Sequence, residues 1–225
     1  MRKWFSGILP AVLLLAGFLL LLFPWLSNYV NRLHSSHAVQ HFSDQLQSAG
    51  DDILSQQLRL AQAYNAALDR LGFSQEVGEE YAKILNFGNG MMGYISIPCI
   101  DVLLPIYHGV SPQVLQKGVG HLPQTAFPIG GAGNHCVLTG HTGLPSARLF
   151  TDLCKLEPGD RFSITVGHQT ATYQVDQIKI VTPAEIQDLM PVDGQDYCTL
   201  VTCTPYGINS HRLLVRGCRV EAETP

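Results

Sequence analysis

The chain opens on one long apolar run and only later settles into short segments broken by glycine and proline. From Trp4 to Asn31 there is no charged residue. The core of that run, Ile8 to Leu26, is close to the ~20 residues that cross a bilayer as a helix. Its exit, Phe23-Pro24-Trp25-Leu26, is too bulky for a signal-peptide cleavage site, which takes small residues. The pattern therefore predicts a retained membrane anchor. Trp4, Trp25 and Tyr29 suit the two interfaces, and Arg2 and Lys3 ahead of the run place the N-terminus in the cytoplasm. Everything after Arg32 is then outside the cell.

No proline occurs from Ser36 to Leu71. Val39, Phe42 and Leu46, then Ile53, Leu54 and Leu58, then Tyr64, Ala67, Leu68 and Leu71 recur at helical spacing. Gly50-Asp51-Asp52 interrupts them with a break and a cap-like restart, so two helices are predicted. They are expected to pack on the side of a following domain and hold it off the membrane. Phe73 to Asn89 reads as a connector with a short helical piece around Glu79 to Leu85.

From Met91 the pattern changes to short β-branched segments between turns. Strands are predicted at Gly93–Ile97, Val102–Ile106, His135–Thr139, Arg161–Val166, Ala171–Val181, Tyr197–Cys203 and Arg212–Val220. Ser111-Pro112 opens a short helix, by a cap and a first-turn proline. Pro145 to Leu153 and Pro183 to Met190 are further short helical connections. Many short strands with sparse helices make a mainly β domain, a barrel or a sandwich.

A length of 225 residues with 46% hydrophobic content suffices for one sizeable domain plus extensions. The net charge of −4 offers no electrostatic footprint for nucleic acid. The 6 cysteines, at positions 99, 136, 154, 198, 203 and 218, form no Cys-x-x-Cys pair, which argues against a structural zinc site. Strand alternation puts Cys218 on the face of Cys203 and Arg212, and Cys198 on the other face. Free thiols are therefore expected even in an oxidising compartment.

Candidate chemistry gathers at strand ends. Tyr197 to Thr202 reads as a buried strand, and Cys203 sits at its exit, just before Pro205 and Gly207. Arg212 begins the next strand. A thiol at a strand exit facing a guanidinium is in an electropositive setting that favours the reactive thiolate. An isolated cysteine in a hairpin is more often a small core residue. Val137-Leu138-Thr139 is another apolar run, and it ends in Gly140-His141-Thr142-Gly143. A histidine there has an exposed ring, although a loop histidine is ordinary in a chain with 9 of them.

Thr199-Leu200-Val201-Thr202-Cys203, with Arg212 downstream and Thr139-Gly140-His141 upstream, resembles the signature of sortases, the cysteine transpeptidases of Gram-positive cell surfaces. The likeness is greatest to class C sortases, which polymerise pilins. It rests on Met92-Gly93-Tyr94-Ile95, Leu104 to Gly109, Gly118 to Leu122, Gly143-Leu144-Pro145-Ser146-Ala147 and Thr204 to Asn209. It runs from about Gly90 to Val220. Two departures stand out. Class C sortases usually carry an Asp-Pro-aromatic lid ahead of the barrel. This chain has no proline between Pro24 and Pro98, and Asp69-Arg70-Leu71-Gly72-Phe73 keeps only the acid and the aromatic. The family also commonly has a second span at its C-terminus. The chain runs only to Pro225, so that span is expected to be missing or removed.

The resemblance implies an eight-stranded β-barrel with the nucleophile strand beside the histidine strand. The expected organisation is 1–33 cytoplasmic tip and transmembrane anchor, 34–89 helical stalk and lid-like connector, and 90–225 catalytic barrel. Cys203 is the expected nucleophile, His141 the general acid/base and Arg212 the oxyanion stabiliser. Thr202, Thr204, His121 and Leu138 are expected to touch substrate. The implied substrate is a Leu-Pro-X-Thr-Gly-type sorting signal on a secreted pilin or surface protein, cleaved between Thr and Gly. The acyl group would pass to a pilin lysine, or alternatively to a cell-wall precursor amine or to water. No metal or organic cofactor is implied. The expected location is the cell membrane, single-pass, with the catalytic domain extracellular.

Overall fold

A computed structural model describes residues 2–48, 50–68, 78–88, 90–144 and 147–221, with side chains from residue 10 onward. The lid-like Asp69 to Phe73 and the Pro145-Ser146 pair lie outside the described residues.

Helix α1 spans Arg2–Ser48. Its 47 residues make about 70 Å of helix at 1.5 Å per residue. Among the described residues it is the one helix long and apolar enough to cross a membrane. It also runs without a break through residue 33, where the sequence placed the end of the anchor. The two halves differ in what they face. Positions 10 to 26 are all exposed, including Leu13, Phe18, Leu21, Phe23 and Trp25. From Asn28 on, positions 28, 31, 35, 38, 42 and 46 turn inward at helical spacing, and Ser35, Phe42 and Leu46 are buried. This second half lies along the barrel.

Helix α2, Asp51–Leu68, starts after the predicted break, with Asp51 and Asp52 in its first turn, where negative charge suits the helix dipole. Its buried face is Leu54, Ala61 and Asn65. Asn65 is a polar clamp in that face. Its Oδ1 accepts from the Phe127 N–H at 2.7 Å, and its Nδ2 donates to the Phe127 carbonyl at 3.2 Å. The Tyr64 hydroxyl donates to the Pro123 carbonyl at 2.6 Å.

Eight strands follow: β1 Met91–Ile97, β2 Val102–His108, β3 Val119–His121, β4 His135–Thr139, β5 Arg161–Val166, β6 Gln169–Val181, β7 Tyr197–Thr204 and β8 His211–Val220. They close into a barrel in the order β1-β2-β3-β4-β7-β8-β6-β5. This is the eight-stranded barrel the resemblance implied. β3 is the strand the pattern missed: three residues with a glycine in the middle give no alternation to read. Two pairings are parallel, β2 with β3 and β4 with β7, while β7 and β8 form an antiparallel hairpin. The helical connections reduce to single turns at Thr151–Lys155 and Gln187–Leu189.

Alternation gives the barrel an interior core and apolar clusters outside it, one of them beneath the helices at Phe42, Leu46, Leu54, Met91 and Tyr107. Ile95, Ile106, Leu138, Phe162, Ile164, Leu200 and Val215 fill the interior. Val137, Val181, Leu189 and Leu214, joined by Leu122 and Val201, form a smaller cluster outside it, beneath the β6–β7 connection. The outer faces of β4, β7 and β8 are therefore apolar too, and the site lies at the end of that outer surface.

Candidate active site

The β7–β8 register sets Cys203 directly opposite Arg212, and Thr204 opposite His211. Directly opposed residues share a sheet face, with Cβ atoms ~5 Å apart. Val201 and Leu214, each two positions inward, belong to the outer cluster, so Cys203 and Arg212 also stand on the outer face. Cys203 is half-buried and unbridged. The Arg212 guanidinium reaches along the turn, where Nη1 donates to the Asn209 carbonyl at 3.1 Å and the His211 carbonyl at 3.0 Å. Asn209 has φ 60 and Gly207 φ 76, the left-handed backbone that lets this turn fold back and offer those carbonyls.

His141 comes off β4, which runs parallel to β7 with Thr139 opposite Val201. The Gly140 N–H donates to the Val201 carbonyl at 3.0 Å, carrying the ladder one step past the strand. His141 and Cys203 thus each lie two residues beyond the same paired position, at neighbouring strand exits. The His141 carbonyl accepts from the Phe150 N–H at 3.1 Å. The flanking glycines have steric reasons. A Cβ on Gly140 would come within 2.7 Å of the Phe150 ring, and Gly143, at φ +73, would bring one within 2.9 Å of the Tyr206 ring.

Three residues expected to touch substrate do not line this surface. His121 and Leu138 pair across β3 and β4 and are both fully buried in the interior. The His121 Nε2 faces the Ala126 carbonyl at 2.9 Å and so carries the proton, leaving Nδ1 to accept from the Tyr81 hydroxyl at 2.8 Å. His121 therefore ties the 78–88 segment to the barrel. Thr202 is also buried, and its Oγ1 donates to the Gly140 carbonyl at 2.7 Å. Parity puts Thr202 on the face opposite Cys203, although the two are neighbours in sequence. Thr204 is half-buried at the strand exit, within the same turn as Arg212.

The other thiols sit in different settings. Cys198 pairs with Gly217, and Cys218 with Tyr197, so the two do not face each other. Burial pushes the Cys198 thiol well up, as does its hydrogen bond to Cys136 on the adjacent strand. Burial also raises the Cys218 and Cys99 thiols. Asp101 pairs with Arg32 of α1 at 2.8 Å, and Asp152 takes Arg148 at 3.0 Å and Lys155 at 2.9 Å. No cluster of metal-ligating side chains occurs among the described residues.

The closed eight-stranded barrel is the sortase fold, and it sets a cysteine and an arginine opposite each other at the β7–β8 exit with a histidine at the β4 exit. Residues 95–220 match the sortase domain, more than half of the chain, and the chain belongs to the sortase family. Among solved structures it is similar to sortase C1 from Streptococcus agalactiae, at 44% identity and a TM-score of 0.80, covering 83% of this chain and 100% of that one. Sortase C from Streptococcus pneumoniae is similar at 42% identity and a TM-score of 0.77, over 84% of this chain and 99% of that one. These structural neighbours are class C pilin sortases. Sortase SrtE1 of Streptomyces coelicolor is 36% identical over 141 residues, 56% of this chain and 40% of that protein. Sortase A of Streptococcus agalactiae is 31% identical over 117 residues, 51% of this chain and 47% of that protein. The chain spans about half the length of these two curated relatives.

Proposed function

We propose that this chain is a membrane-anchored cysteine transpeptidase that joins pilin or other surface proteins outside the cell. Its substrate is a Leu-Pro-X-Thr-Gly-type sorting signal, cleaved between Thr and Gly, and its acceptor is a pilin lysine. The observation that carries the reading is the Cys203–Arg212 register, with His141 two residues past a shared β4–β7 pairing. The class C neighbours supply the choice of acceptor. In this reading residues 1–33 are tip and anchor, 34–89 the helical flank and 90–225 the catalytic barrel, and the apolar run of α1 spans the bilayer with its N-terminus inside.

The chemistry divides among three groups. The Cys203 thiolate attacks the Thr carbonyl, whose oxygen becomes an oxyanion beside the Arg212 guanidinium. Arginine stays protonated and presents a planar fork, so it stabilises charge and cannot serve as the base. Protonated His141 gives its proton to the leaving Gly nitrogen, and the C–N bond breaks to leave a thioester on Cys203. The lysine amine then attacks the thioester and yields its proton to His141. The Cys203 thiolate departs, and an isopeptide bond remains. The outer cluster of Val137, Val181, Leu189 and Leu214 is buried beneath the β6–β7 connection and holds the β4, β7 and β8 strands in place from outside the barrel.

Intact-mass measurement after incubation with a sorting-signal peptide tests this. Cys203→Ala is expected to abolish the acyl-enzyme, while Cys198→Ala and Cys218→Ala retain it. Equal loss in all three variants overturns the assignment. With wild-type protein, a lysine-bearing pilin peptide is expected to convert the adduct to a ligated product. Release of free acid alone would make the protein a hydrolase.

A further inference from the structure

The site and the anchor meet at one place. Residues 10 to 26 of α1 present exposed apolar side chains all round, which in water would be a large unpartnered surface and in lipid is an ordinary one. A cavity of about 230 Å³ is lined by Pro24 and Asn28 of α1 and by Gly143, Leu144, Arg148 and Tyr206 of the barrel. The Asn28 Oδ1 accepts from the Arg148 N–H at 3.2 Å, which fixes the helix against the loop that follows His141. The Tyr206 ring closes over Gly143 from the β7–β8 turn. Pro24 precedes the end of the apolar core at Leu26 by two residues, about 3 Å along the axis. The β7–β8 turn therefore stands at the depth where α1 leaves the apolar phase.

The side chains at that depth suit it. On the turn, Tyr206 is 68% exposed and Ile208 71%. On α1, Trp25 and Tyr29 stack with ring centroids 6.3 Å apart. Tyrosine and tryptophan favour the headgroup level, because one end of the ring is apolar and the other polar.

We propose that the β7–β8 turn inserts Tyr206 and Ile208 into the phospholipid interface, so that the strand exit bearing Cys203 faces the membrane surface rather than open solvent. The proposal rests on the reading of α1 as a spanning helix and is independent of the catalytic roles.

Depth-resolved fluorescence quenching of the full chain in phosphatidylglycerol–phosphatidylcholine vesicles tests it, using lipids brominated near the headgroup end of the acyl chain. One sample carries Trp4→Phe, leaving Trp25 to report the anchor. A second adds Trp25→Phe and Ile208→Trp. A third instead adds Trp25→Phe and Asp193→Trp, an exposed position before β7 begins, at the end of the strand away from Cys203. Trp25 and the Ile208→Trp indole are expected to be quenched to within about twofold of each other, and the Asp193→Trp indole not at all. Quenching of Trp25 without the Ile208→Trp indole overturns the proposal and leaves the anchor standing. No quenching at Trp25 removes the anchor and the proposal together. Equal quenching at Asp193→Trp shows general adsorption of the barrel, which also overturns it.

Discussion

The Thr202 Oγ1 donates to the Gly140 carbonyl at 2.7 Å, from inside the barrel, and so ties the strand that carries Cys203 to the loop that carries His141. With the Gly140 N–H bonded to the Val201 carbonyl, both backbone polar groups of Gly140 are held by β7. Two hydrogen bonds thus fix the backbone just before His141 against the strand that carries Cys203.

Replacing Thr202 by Val keeps the shape and removes the bond. The buried Gly140 carbonyl loses its partner, which costs about 1–3 kcal/mol. Thermal unfolding is expected to show that loss, and acyl-enzyme formation to slow by roughly ten- to a hundredfold through misplacement of His141. Thr202→Ser restores the donor and is expected to recover most of the rate.

Arg212→Lys keeps the charge and loses the planar fork, which here also braces the turn through the Asn209 and His211 carbonyls. Single-turnover acylation is expected to fall by roughly a hundredfold, about the loss from removing one oxyanion donor, with little change in melting temperature at this partly exposed site. Unchanged acylation would remove Arg212 from the mechanism.

His135 gives a pH dependence. Burial lowers its pKa below the usual 6.5. Its Nδ1 faces the Met190 carbonyl at 2.9 Å, so it carries the proton, and Nε2 accepts from the Thr199 hydroxyl at 2.7 Å. The unfolded chain binds the extra proton more readily than the native one, so stability is complete above about pH 6.5 and falls as the pH drops below it. Melting temperatures between about pH 7.5 and 5 are expected to decline, and His135→Gln to flatten that decline.

Asn65 holds both the N–H and the carbonyl of Phe127 across the α2–barrel contact. Asn65→Leu leaves the Phe127 N–H unpaired, while the carbonyl keeps the Ile129 N–H at 2.8 Å, and is expected to destabilise by roughly 1–3 kcal/mol. Hydrogen exchange is expected to show Phe127 and α2 losing protection together.

Local signals carried much of this architecture, and long-range pairing carried the rest. The break at Gly50 to Asp52 was legible because caps and turns are local chemistry. The faces of Cys198, Cys203 and Cys218 followed from strand parity alone. Strand order did not, since the parallel β4–β7 pair joins segments with β5 and β6 between them in sequence. The continuity of α1 was hidden because the apolar core ends at Leu26 and the next apolar spacing begins at Val39, whereas positions 28, 31 and 35 between them face the barrel at helical spacing. Adjacency in sequence did not bring access for two of the residues expected to touch substrate. Thr202 and Leu138 neighbour the site in sequence, yet the pleat turns them inward.

The parallel β4–β7 junction makes reactivity a property of the finished molecule. On a nascent chain, Cys203 has neither the His141 strand end nor Arg212 set beside it. Only when the last strand closes the cylinder do the three strand ends become neighbours, so the proposed site exists in the finished barrel and not in a chain still being made.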